Sequence, residues 1–124
     1  MQLIRGQHNL RSHHRGCAVT IGAFDGVHLG HQAVLEHLKK QALLLGIPTT
    51  VVTFEPLPRE YLTPLEAPPR ITTLRDKWPL LEACGVDRVL CLPFNERLRQ
   101  LTARQFDEQI FVDGLGAQYL AFGD

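Results

Sequence analysis

His28 and His31, with Gly30 between them, are the residues whose types and spacing suit a reaction at phosphate. At a separation of three on a helix, the two imidazoles project from nearly the same face. Gly30 has no Cβ, so a bulky anion can approach the backbone there. The first turn of a helix carries unpaired N–H groups and the positive end of the macrodipole, which together favour an anion. In nucleotidyl transfer, charge builds on the α-phosphate oxygens and on the departing pyrophosphate, and donors fixed at those positions lower the barrier. Histidine donates there without a large pKa adjustment. The work assigned to His28 and His31 is therefore electrostatic rather than nucleophilic.

Flanking segments must position the pair. Cys17-Ala18-Val19-Thr20-Ile21 is a short β-branched run suited to a buried strand, and Phe24-Asp25-Gly26 breaks it with turn residues. From His28 onward Val34, Leu38, Ala42 and Leu45 recur at helical spacing, leaving Glu36, Lys39 and Lys40 to face water. The expected unit is strand, tight turn and helix N-terminus. A P-loop would need a Gly-Lys pair, which this sequence lacks, and no Gly-x-Gly-x-x-Gly is present for a dinucleotide. A metal at the histidine pair lacks an obvious third ligand. A surface pair or a structural helix start remains the alternative to a phosphate site.

The 124 residues amount to one domain, long enough for a real core. Lys plus Arg and Asp plus Glu balance at 13 each, so no global field favours nucleic acid or a membrane surface, and any anion site is local. Cys17, Cys84 and Cys91 are odd in number and lie in apolar segments without Cys-x-x-Cys spacing. They read as reduced core residues, which implies the cytoplasm. No apolar run approaches the roughly 20 residues of a membrane span, and the N-terminus lacks a signal-peptide core.

Along the chain, Leu3-Ile4 reads as an edge strand or lead-in, followed by a solvated loop in which His13 and His14 are expected to be exposed. Gly46 closes the first helix, and Thr49 to Phe54 is a strand buried on both faces. Phe54-Glu55-Pro56-Leu57-Pro58 is then a proline-stiffened loop at the strand end where parallel sheets bind ligands. Arg59 to Thr72 is expected to form a flap, with Arg59 and Arg70 as the nearest guanidinium groups for a phosphate. A second helix over Ile71 to Cys84 buries Leu74, Trp78, Leu80 and Leu81. It is capped either at Thr72 or Thr73, with Pro79 inside, or at Asp76, with Pro79 in its first turn. Val86 to Phe94 is the next strand. Thr102 and Gln105 form a capping box for a third helix that buries Phe106, Ile110 and Leu115; Gly114 and Gly116 end it, and Ala117 to Phe122 is the last strand. This alternation implies an α/β fold, a parallel sheet with helices on both faces and right-handed crossovers.

The string Ile21-Gly22-Ala23-Phe24-Asp25-Gly26-Val27-His28-Leu29-Gly30-His31 resembles the His-x-Gly-His signature of the nucleotidyltransferase superfamily. With Phe-Asp-Gly-Val ahead of the signature, it is similar to one branch, the bacterial FAD synthetase (FMN adenylyltransferase) module of bifunctional riboflavin kinase/FAD synthetase. Phe54-Glu55-Pro56-Leu57-Pro58, Gly85-Val86-Asp87 and Pro93-Phe94-Asn95 resemble further segments of that branch. Many members carry Asn where Ala23 stands, and His or Gln where Leu57 stands.

The resemblance implies a Rossmann-like nucleotidyltransferase fold and transfer of AMP from ATP to FMN, giving FAD and pyrophosphate. It implies His28 and His31 as catalytic residues, ATP contacts at Gly22, Ala23, Phe24, Asp25 and Gly30, and FMN contacts at Phe54, Pro56, Leu57 and Pro58. Mg2+ would neutralise the ATP phosphates, and no protein ligand for it is assigned. Gly123-Asp124 is similar to the opening of a Gly-Asp-Asp-Phe-x-Phe-Gly segment. Residues 1–124 are thus expected to be a truncated nucleotidyltransferase domain, with the riboflavin kinase domain of the parent protein absent. The last strand would then leave an edge and apolar surface uncovered. Competing readings are another transferase of the superfamily, such as a cytidylyltransferase or a pantetheine-phosphate adenylyltransferase, and a fragment that binds nucleotide without catalysis.

Overall fold

A computed structural model of the chain describes residues 1–24, 29–56, 62, 65 and 73–122. The described residues build a five-stranded sheet from β1 (Gln2–Arg5), β2 (Cys17–Ile21), β3 (Thr49–Phe54), β4 (Arg88–Leu92) and β5 (Ala117–Phe122). The spatial order is β1-β4-β3-β2-β5, and every neighbouring pair is parallel. The β-branched and apolar runs of β3 and β4 account for their central place: all of β4 and all but the last residue of β3 are buried, as a strand covered on both faces requires. From β2 the chain steps outward to β3 and β4, then returns to lay β5 on the other side of β2. The reversal point therefore falls between the ends of β2 and β5, where open parallel sheets hold ligands.

Among the described residues, two helices cover one face. α1 (Leu29–Leu45) packs Leu38 and Ala42 against Ala18, Tyr119 and Ala121, while α2 (Leu74–Ala83) packs Leu74 and Leu81 with Leu35, Val51, Val89 and Cys91. α3 (Glu96–Arg99) and α4 (Ala103–Phe106) cover the other face, α4 running on without a break into a π-helical stretch, Asp107–Gly114. Ile110, Phe111 and Leu115 pack there with Ile4, Cys17, Val19, Val52, Leu90 and Leu92. The expected layering is present. No helix among the described residues is long and apolar enough to cross a membrane.

Several local expectations change. Leu45 is half-exposed, and the buried stripe of α1 is Leu35, Leu38 and Ala42. At 17 residues α1 is about 26 Å long and outruns β2, whose five residues span about 17 Å. Thr73 is the cap of α2: its Oγ1 accepts from the Asp76 N–H at 3.2 Å, and the Asp76 carboxylate accepts from the Thr73 N–H at 3.3 Å. Pro79 is therefore interior to the helix, where it leaves the Arg75 carbonyl without its usual backbone donor. Leu80 is exposed because the buried stripe runs Leu74, Lys77, Leu81, and a lysine occupies its middle position.

His14 is buried rather than exposed, although His13 beside it is exposed. Two 3-10 turns, Gln7–Asn9 and Ser12–His14, fold the lead-in inward. The Arg11 N–H donates to His14 Nδ1 at 2.9 Å, and the buried Arg88 donates from Nη1 to the His14 carbonyl at 2.9 Å. Burial, with His13, Arg88 and Arg11 nearby, pulls the His14 pKa below its ordinary value. The expected flap, including Arg59 and Arg70, lies outside the described residues apart from the exposed Leu62 and Leu65.

Candidate active site

β2 delivers the chain to the reversal point. The Gly22 N–H donates to the Val52 carbonyl at 3.0 Å, prolonging the β2–β3 ladder by one residue. Two residues on, Phe24 has a φ of 51°, in the left-handed region that a bulky side chain seldom adopts. Its ring is buried with Leu35, Val51, Leu74 and Val89, which repays part of that backbone cost. A Cβ on Gly22 would sit 3.0 Å from Phe24 Cε2. Glycine is thus what lets the Phe24 ring fold back over the turn.

The ring then meets the first turn of α1. The centroids of Phe24 and His31 are 5.0 Å apart, with the planes tilted by 52°. Gly30, next to His31 in this turn, is exposed. Beneath the turn, Lys77 reaches up from α2 with its side chain buried, and its Nζ donates to the Ala23 carbonyl at 2.6 Å.

On the opposite face of the same strand ends lies a cavity of about 360 Å³, lined by Ile21, Phe54, Phe94, Phe106, Phe111 and Phe122, among others. Five of the chain's six phenylalanines thus converge there. Phe54 meets Phe94 edge-on at 6.1 Å and Phe106 at 6.2 Å, and Phe106 meets Phe111 edge-on at 5.6 Å. Arg99, Thr102 and Asp107 also border the cavity. An apolar pocket of this size with a few polar groups is the usual form of a small-molecule site.

A model of the FAD synthetase family matches residues 10–124. The chain belongs to the FAD synthetase family. It is 57% identical over 124 residues to a bifunctional riboflavin kinase/FMN adenylyltransferase of Pseudomonas fluorescens, and 46% identical over 125 residues to the protein of that name in Escherichia coli K12. Each match covers the whole of this chain and 40% of the relative, so the chain spans about two-fifths of the length of the curated relatives it matches. A crystal structure described as a macrolide-efflux protein from Streptococcus pneumoniae superposes with a TM-score of 0.81 at 24% identity, covering 98% of this chain and 48% of that one. At that identity the likeness speaks for the fold alone, and the fold is the expected Rossmann-like nucleotidyltransferase architecture.

Within this family fold, the expected ATP-contact residues Gly22, Ala23, Phe24 and Gly30 and the expected catalytic His31 gather at the end of β2 and the start of α1. His28 and Asp25 lie outside the described residues, as do Leu57 and Pro58 of the expected FMN set. Phe54 lines the aromatic cavity, whereas Pro56, reached through a cis peptide bond, is exposed and is not among the cavity's described lining residues. Five groups escaped the reading of the site from sequence. Phe94, Phe106, Phe111 and Phe122 line the cavity, and the signal for Phe122 was an aromatic residue at a strand's C-terminal end. Lys77 was marked only by its place on the apolar stripe between Leu74 and Leu81. Among the described residues, no group of three His, Cys, Asp or Glu lies together to hold a metal ion.

Proposed function

We propose that this segment carries the adenylyl-transfer site of a longer protein and transfers AMP from ATP to FMN. A phosphate oxygen of FMN attacks the α-phosphorus of ATP in line. The new P–O bond forms as the bond from the α-phosphorus to the bridging oxygen of the β-phosphate breaks. Pyrophosphate leaves with that electron pair, and FAD remains. No covalent enzyme intermediate is required.

The observation that carries this reading is the sharing of one set of strand ends by two unlike sites. The glycine turn and the first turn of α1 stand on one side of the β2 terminus, and the phenylalanine-lined cavity on the other. ATP phosphates take the first, with His31 and His28 donating to charge that grows in the transition state. The flavin ring takes the second, against Phe54, Phe94 and Phe106. Mg2+ comes with ATP as part of the substrate, because it favours phosphate oxygens and water over an all-protein cage.

The relatives' names support a riboflavin kinase domain elsewhere in the same protein, and the family match supports residues 10–124 as part of its FAD synthetase domain. Such a protein would make FMN and then consume it. Cys17, Cys84 and Cys91 form no disulfide, which suits the reducing cytoplasm, where we place the reaction.

The test is to incubate the full natural chain with FMN, ATP and Mg2+ while measuring FAD and pyrophosphate. One FAD per pyrophosphate is the expected result. Absence of FAD, with turnover of a cytidylyl or pantetheine-phosphate acceptor instead, would replace this reading by another transferase of the superfamily.

A further inference from the structure

Lys77 stands where an apolar residue would pack. It is 2% exposed, on the α2 stripe between Leu74 and Leu81, and the hydrophobic cluster of Phe24, Leu35, Leu74, Leu81 and Val89 lies on the same face of the sheet. Burying a lysine costs free energy that a leucine or methionine would not incur. What it supplies is an N–H at the Ala23 carbonyl, 2.6 Å away and 54 residues earlier in the chain.

That carbonyl belongs to the peptide plane from which Phe24 departs. Holding the plane restrains rotation into Phe24, whose φ of 51° would otherwise relax toward the broad region that phenylalanine prefers. The Phe24 ring in turn rests on His31 at 5.0 Å, in the first turn of α1. A continuous mechanical path therefore runs from α2 through Ala23 and Phe24 to the imidazole.

We propose that Lys77 is a positioning residue for adenylyl transfer: by clamping the Ala23 carbonyl it holds the Phe24 turn, and with it His31 and the α1 N-terminus, in the geometry that receives the ATP phosphates. The role rests on the assignment of that turn to ATP. It acts on one substrate only, because the aromatic cavity lies on the other face of the sheet and has no Lys77 in its described lining.

The test is Lys77→Met in the full natural chain, which keeps an unbranched apolar stem, one atom shorter, and removes the donor. The readouts are ATP affinity by calorimetry, kcat for FAD formation, and KM for FMN, with circular dichroism to establish folding. The expected result is a loss of about tenfold or more in both ATP affinity and kcat, with KM for FMN within twofold of wild type. Wild-type ATP affinity in the folded variant overturns the role. So does a fall in kcat alone, because that is what a smaller folded fraction produces. Should Lys77→Met not fold, Lys77→Gln, whose N–H falls one bond short of Ala23, is read against the same two results. A wild-type chain that binds ATP yet forms no FAD would overturn the reaction and not this role, which ATP affinity still decides.

Discussion

Phe24 lays its ring against the imidazole of His31, centroids 5.0 Å apart, from a backbone held at positive φ. The contact joins the end of the β2 turn to the opening of α1 and spaces the histidine from the sheet. It exists because Gly22 leaves room for the ring.

Gly22→Ala should disturb catalysis more than folding. The added methyl would sit 3.0 Å from Phe24 Cε2, tighter than ordinary contact, and overpacking of this kind costs about 1–3 kcal/mol. Relieving it shifts the Phe24 ring, which packs against His31. We expect kcat for FAD formation to fall at least about tenfold, because sub-ångström misplacement of donors is costly. The thermal midpoint should drop by only a few degrees. Steady-state assays and thermal melts of the same preparation check both.

His31→Ala and His28→Ala should each lower kcat by about 10²-fold or more if the imidazoles are preorganised donors to transition-state charge. KM for FMN should change little. Unaltered turnover in both variants would remove the histidines from the mechanism.

Phe106→Ala should act on the other substrate. Phe106 pairs with both Phe54 and Phe111 in the cavity, so truncation removes ring contacts worth about 0.5–1.5 kcal/mol each together with apolar area. KM for FMN should rise about tenfold while ATP affinity by calorimetry stays at the wild-type value.

Acid should weaken the fold through His14. Its pKa is lowered in the folded chain by burial and by the neighbouring His13, Arg88 and Arg11, so at low pH the unfolded chain binds the extra proton more readily. The stability linked to this group is complete above the ordinary histidine value of about 6.5 and declines as pH falls through it. Denaturant midpoints at pH 7.5 and 5.5 should therefore differ more in wild type than in His14→Gln.

Much of the fold was legible because it is written locally. The run Thr49 to Phe54 and the segment Ala117 to Phe122 became β3 and β5 with those bounds, and the Thr102–Gln105 capping box formed as expected, with the Gln105 N–H donating to Thr102 Oγ1 at 3.1 Å. What was hidden depends on partners far away in sequence. Nothing near Lys77 announces that a carbonyl at Ala23 awaits it, so a charged residue on a short helix reads as solvent-facing. His14 likewise owes its burial to Arg88 and to the turns before it. The change from α to π between Phe106 and Asp107 is a choice of hydrogen-bond register, which composition does not encode. The phenylalanine cavity was partly visible through Phe54, but its other walls come from β5, α4, the π-helical stretch and the segment after β4. Only the sheet order brings them together.

The pairing of β2 also sets a folding schedule. Ala18 finds Thr49 on one side and Tyr119 on the other, so the first partner is met early in synthesis and the second only near the far end of this segment. Closing the longer loop carries the larger entropic cost, and distant pairings of this kind slow folding. Until β5 docks, one edge of β2 is open and the reversal point does not exist. A ribosome-bound chain that has made β1 through β4 would hold the first turn of α1 without the strand that completes the crevice, a late-ripening site whose β2 edge stays open to wrong pairing until then.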